Sequence, residues 1–220
     1  MLTDQAIFTS LTRKGRSGYH VVARSAGVTE NEATTLAAWS PSHGGLLVDD
    51  ANRVSVNFHP LPTGRYALSR TREGRPEYSG RGGRQVYTHA LIVDAAQLEH
   101  AGLRPFAIYR NALALGYFHY RSDPAPVLER VRLSSLYSRI DADNWAAYSR
   151  ELGHQLFESI IVQLEVAQNV GLAYAGNRAA LAEALVSRLS PQALMKTSFA
   201  TSLIPSSVRA YHLAITAPKA

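Results

Sequence analysis

The spacing of hydrophobic and polar positions changes character along the chain. In the first half, apolar and polar residues alternate with the two-residue period of half-buried strands. Gln5 to Leu11 predicts a first strand and Tyr19 to Ser25 a second, joined across the hairpin turn Gly15-Arg16-Ser17-Gly18. Thr29 followed by Glu32 forms a capping box, predicting a helix from there to about Trp39, which Pro41-Ser42-His43-Gly44-Gly45 ends. Val54 to Pro60 and Arg65 to Thr71 predict two more strands, followed by a glycine-rich loop between Glu73 and Arg84. Gln85 to Val93 carries near-continuous β-branched and aromatic residues, the signature of a central strand. Asp94 caps a short helix from Ala95 to about His100, and Pro105 to Leu115 predicts another.

Beyond Ser122-Asp123-Pro124-Ala125-Pro126 the period becomes helical. Leu152, Leu156, Ile160 and Leu164, with Phe157 and Ile161, predict one long helix from Trp145 to about Val166, capped by Asp143 or Asn144. Asn169 to Tyr174 reads as a strand and Arg178 to Leu189 as a helix; Phe199 and Ser207 to Thr216 read as strands. The predicted fold class is α+β: a mostly antiparallel N-terminal sheet with short helices, followed by a helix-rich α/β region. The division falls at the proline hinge, giving residues 1–122 and 127–218, either two domains or one continuous one.

Composition narrows this picture. The chain has 220 residues with no cysteine, which excludes a disulfide scaffold, a thiolate nucleophile and a cysteine-ligated zinc. The start Met1-Leu2-Thr3-Asp4-Gln5 lacks the basic-then-apolar character of a signal peptide, and no apolar run approaches the ~18 to 20 residues of a membrane span. The expectation is a cytoplasmic protein without a membrane partner. Net charge is +6, carried almost wholly by arginine, since Lys14, Lys196 and Lys219 are the only lysines.

That charge is concentrated. Arg65, Arg70, Arg72, Arg75, Arg81 and Arg84 fall within twenty residues and face only Glu73 and Glu77. Guanidinium forks match phosphate and carboxylate oxygens, and exposed glycines let backbone N–H groups approach an anion. Tyr66 and Tyr78 offer stacking surfaces for bases. The segment therefore reads as an anion- or partner-binding loop, or as a solvated hairpin. It has neither the spacing of a phosphate-binding loop nor that of a dinucleotide fingerprint.

Thr88 and His89 lie in the best strand. With His20 they make a candidate polar site, and His59 would allow a three-histidine zinc site if the imidazoles met on one sheet. The alternative is buried histidine satisfied internally. Lys196 to Ser202 is hydroxyl-rich, but Ser198 lacks a nucleophile elbow and its neighbours read as turn or solvent-face residues. Glu151, Glu158 and Glu165 repeat every seven residues and read as an exposed charged row. No cofactor or catalytic constellation follows from these patterns.

Several segments together, Gln5 to Ser10, Gly18 to Thr29, Tyr87 to Val93, Ser198 to Leu203 and Arg209 to Leu213, resemble the bacterial GTPase-associated proteins in their N-terminal (type two) and middle regions. The resemblance implies an α+β protein encoded beside a small GTPase in conflict or signalling systems, acting as an adaptor or effector partner with no catalytic residues to carry over. Members are usually longer, so the chain is expected to be a shortened member or a piece of one. Three readings stand: a non-catalytic component of a GTPase-centred complex; a nucleotide or nucleic-acid binder using residues 65–84; and a hydrolase with a His-based site.

Overall fold

The computed structural model describes residues 1–13, 15, 17–76, 83–134 and 144–218. In chain order these form β1 (Leu2–Ser10), β2 (Tyr19–Ser25), α1 (Glu30–Trp39), β3 (Val54–Pro60), β4 (Tyr66–Pro76), β5 (Arg84–Val93), α2 (Ala95–His100) and α3 (Pro105–Ala114). Then follow β6 (Val127–Leu128), β7 (Val131–Arg132), α4 (Asn144–Leu152), α5 (His154–Glu165), β8 (Val170–Ala173), α6 (Arg178–Val186), α7 (Pro191–Lys196), β9 (Phe199–Ala200) and β10 (Leu213–Thr216). The fold class is α+β.

All ten strands belong to one mixed sheet in the order β6-β2-β1-β5-β4-β3-β9-β10-β8, with β7 beside the start of β1. The five central strands are antiparallel, whereas β9, β10 and β8 run parallel to one another. β5 lies between β1 and β4, and nine of its ten residues are buried. That explains its near-continuous β-branched and aromatic content.

Strand alternation gives the sheet two faces. Phe58, Leu68 and Leu91 point to one, where Leu98, Phe106, Ile108, Phe157, Ile160 and Leu185 bring α2, α3, α5 and α6 onto the sheet. Ala6, Ala67, Ala90 and Ile92 point to the other and meet Val28 and Leu36 around α1. The second face is polar at its centre. Ser55 donates to Asn57 at 2.6 Å; Asn57 donates to Ser69 and Thr71; Thr71 and Thr88 share a bond of 2.9 Å. All five are buried.

The chain between α1 and β3 runs past this polar face. Its Leu46 bridges to Leu203, and Leu47 N–H donates to the Ser202 carbonyl. Its far end is pinned at α6: Asn52 accepts from the Arg178 backbone N–H and donates to the Gly176 carbonyl, and Asp49 pairs with the Arg178 guanidinium. Arg178 is fully buried.

Several predicted boundaries shift. Trp145 to Val166 is not one helix. Gly153, at φ 84°, separates α4 from α5 in a conformation that costs any other residue strain; the helical spacing continues across the break, so periodicity alone does not reveal it. The predicted cap at Asp143 lies outside the described residues. β4 continues through the predicted loop to Pro76, because Glu73 pairs with Val86 and Pro76 with Arg84 across a bulge. The predicted strand from Ser207 contracts to Leu213–Thr216. The short elements β6, β7 and α7 carry too few residues to show a period.

The C-terminal strands join the N-terminal ones through two residue pairs, Asn57 with Ala200 and Phe58 with Phe199. Aromatic packing reinforces this joint: Phe199 stacks on Phe58 at 5.6 Å and on Phe106 at 5.0 Å. Phe199→Ala is expected to lower unfolding stability by about 3–5 kcal/mol, measured by urea denaturation. Gly153→Ala, strained but not buried, should cost only about 1–2 kcal/mol.

Candidate functional site

The six arginines of residues 65–84 do not form one surface. Arg65 lies on the α1 face, one position before Tyr66 begins β4. Its Nε and Nη2 donate to the two Glu32 carboxylate oxygens at 2.8 and 2.6 Å, its Nη1 to Asp4 at 2.8 Å, and its Nη2 also to the Gly27 carbonyl at 2.7 Å. The Asp4 and Glu32 side chains are almost wholly buried. Gly27 is glycine for a steric reason: a Cβ there would come within 2.5 Å of the Asp4 carboxylate.

Arg70 points to the opposite face, beside His89 in the β4–β5 register, and donates to the Phe118 carbonyl at 3.2 Å. Arg72 Nε bonds the Glu73 carbonyl at 3.4 Å, and Arg84 bonds the Gly74 carbonyl and lies 3.8 Å from Glu73. Arg75 lies on the same hairpin, and Arg81 and Tyr78 fall outside the described residues. Of the five described arginines of this stretch, Arg72, Arg75 and Arg84 lie together on the β4–β5 hairpin.

Thr88, His89 and His20 do not assemble either. Thr88 and His89 are neighbours on β5, so their side chains point to opposite faces. Thr88 joins the polar network with Thr71. His89 is buried, with Nε2 2.7 Å from Gln5 Oε1. His20 pairs with Thr9 on β1, which pairs with Tyr87 on β5, and its Nδ1 bonds the Gly18 carbonyl at 2.9 Å. His59 lies on the α1 face, stacked on Trp39 at 4.6 Å, while Tyr211 meets the same indole edge-on. The three imidazoles that could have shared a zinc ion are thus dispersed, and among the described residues no three metal-ligating side chains cluster.

Burial sets the protonation of these groups. It depresses His59 to about 4 and, with the charges of Arg121 and His119, His89 to about 3. Both are neutral imidazoles across the physiological range. Glu32 goes the other way from an ordinary buried acid. Burial alone would raise it, but hydrogen bonds from Arg65, Thr63 and the Thr29 backbone, together with the Arg65 charge, hold it at about 2.

A Ser–His pair that sequence spacing does not reveal lies where β9 meets β10. Ser198 Oγ and backbone N–H both lie 3.1 Å from His212 Nδ1, and the His212 N–H returns a bond to Ser198 Oγ. Two donors on Nδ1 make it the acceptor, so the ring proton sits on Nε2. Ser198 is fully buried, as are Thr197, Thr201 and Ser202 nearby. The hydroxyls expected on a solvent face or in turns are instead inside, tying strands together: Thr201 bonds the Val56 N–H, and Ser55 bonds the Thr201 N–H.

The family model for GTPase-associated protein 1, N-terminal domain type 2, matches residues 2–132. The chain belongs to this family. The match runs from β1 through β7, so the N-terminal type 2 domain includes the central antiparallel strands, α1 to α3, the Arg65 network and the His89–Gln5 pair. No curated protein and no solved structure matches the chain. Among the described residues, no helix is long and apolar enough to cross a membrane.

The depressed values give the acid response a direction. Below about pH 6.5 the unfolded chain protonates its histidines while His59 and His89 stay neutral in the fold, so stability declines as pH falls towards 4 and 3. Glu32 adds a second decline between about 4.5 and 2, on the order of 3 kcal/mol in full. Urea midpoints measured from pH 7 to 2 should fall throughout, with Glu32→Gln making the decline shallower below about pH 4.5. The imidazole proton shifts of His59 and His89 should stay constant from pH 8 to 5.

Proposed function

We propose that the chain is a non-catalytic adaptor or interaction component of a bacterial, cytoplasmic GTPase-centred complex of the defence or signalling kind. Family membership supplies the link to a GTPase. The choice of binding over catalysis rests on one observation: Arg65, His59 and His89, on or beside the central strands, are tied into the fold itself. Arg65 is closed on by Asp4 and Glu32, His89 is sealed against Gln5, and His59 is sandwiched under Trp39. His59 and His89 are buried, whereas Arg72, Arg75 and Arg84 sit on the β4–β5 hairpin.

Such a surface suits an acidic partner, because charge complementarity steers association and fixes register. The test is co-purification with the GTPase encoded beside this chain, loaded with GDP or with GTP. Retention is expected in at least one nucleotide state, weakened roughly tenfold by joint replacement of Arg72, Arg75 and Arg84 with alanine. Absence of binding in every nucleotide state would overturn the reading.

A further inference from the structure

A second basic site lies away from the β4–β5 hairpin. Between the segment after α3 and the β6–β7 turn is a cleft of about 630 Å³, a size typical of small-molecule sites. Arg121, Arg130 and Arg132 all line it, opposed there by Glu129 alone. These three come from two separated stretches that only the fold brings together.

Their bonding differs in a useful way. Arg130 is held in place, donating to the Leu2 carbonyl at 3.2 Å and lying 3.4 Å from Asp4. Arg121 Nε is bonded to His119 at 3.1 Å, and among the described residues its two terminal nitrogens make no hydrogen bond or ion pair. The Arg132 side chain has no hydrogen bond or ion pair among the described residues and is exposed. Two guanidinium forks are therefore left to an outside acceptor, beside a third that is already fixed.

The rest of the cleft is suited to an organic moiety. Val127 is 70% exposed and Leu2 47%, and both line the cleft with apolar surface. Tyr117 adds an aromatic wall, its hydroxyl bonded to the Arg132 carbonyl at 2.9 Å. Gln5 is a buried polar floor. Its Nε2 donates to the Glu129 carbonyl at 2.6 Å and its Oε1 faces His89 Nε2, so the carboxamide is clamped from both sides and holds the turn against β1.

We propose that this cleft binds a nucleotide-sized organic phosphate, its phosphate groups taken by Arg121 and Arg132 and its flat or apolar portion lying against Tyr117, Val127 and Leu2. Guanidinium forks favour phosphate oxygens through paired charge-assisted bonds. With Arg130 already paired to Asp4, Arg121 and Arg132 stand against Glu129 and leave a net positive charge for an anionic ligand. The site is independent of the adaptor reading, since it uses none of the hairpin arginines.

The test is calorimetric titration of the full chain at low salt with GDP, inorganic pyrophosphate and citrate as probes. GDP should bind with a dissociation constant below about 1 mM, tighter than pyrophosphate, and citrate more weakly than either. Arg121→Ala and Arg132→Ala should each weaken GDP about tenfold, Arg132→Lys should restore part of the loss, and Arg53→Ala, at an exposed position elsewhere, should change nothing. Circular dichroism of each variant confirms the fold. Failure of GDP and pyrophosphate to bind, or binding indifferent to Arg121 and Arg132, would overturn the site. Citrate binding as tightly as pyrophosphate would overturn the phosphate class, and GDP no tighter than pyrophosphate would overturn the organic portion.

Discussion

A single guanidinium organises one side of this molecule. Arg65 uses all three of its nitrogens on partners from three places in the chain: Asp4 on β1, Gly27 before α1 and Glu32 inside α1. Removing Arg65 would leave the buried Glu32 carboxylate without its cation and weaken the compensation of Asp4, a far larger cost than losing a surface pair. The same Glu32 also completes the capping box with Thr29 and accepts from Thr63. Placement of α1 and closure of the turn before β4 therefore meet at one carboxylate, and Arg65 ties both to β1 through Asp4.

The opposite end of the sheet is joined by different means. Phe199 between Phe58 and Phe106 carries apolar contact across the β3–β9 seam, while Thr201 and Ser55 exchange hydrogen bonds with the neighbouring backbone. The family-matched segment ends at Arg132, yet the core does not end there: Phe157, Leu185 and Leu213 pack into the same cluster as Phe58 and Leu91. A sheet edge left open at β3 would expose unpaired backbone groups, and β9 covers part of it. The polar centre of the α1 face is consistent with this arrangement. Its hydroxyls and the Asn57 amide satisfy one another, so burial carries little penalty.

These arrangements also separate arginines tied across the sheet from those on its hairpin and turns. Clustering in sequence put Arg65 and Arg70 with Arg72, Arg75 and Arg84, but strand alternation and a turn send the first two inward to opposite faces. Meanwhile Arg121 and Arg132, eleven positions apart and in no basic run, converge on one cleft. Local charge density is a poor guide to surface potential when neighbouring residues on a strand face opposite ways.

Much of the fold was legible in the chain itself. The capping boxes at Thr29–Glu32 and Asp94–Gln97 mark helix starts because the bonds involved are local. β5 was legible because a central strand must be apolar on both faces. The break at Gly153 was not, since a glycine interrupts a helix only when its φ turns positive, and residue identity permits either outcome. Nor were the dispersal of His20, His59 and His89, the Ser198–His212 pair or the arginine cleft, because each depends on distances between strands or loops remote in sequence. Sequence alone determined the class of element at most positions, through short-range bonds and periodicity, and the family, through the residues of its N-terminal segment. Tertiary structure alone decided which charges are buried partners and which remain for a ligand, because that depends on register and on the face to which each side chain is turned.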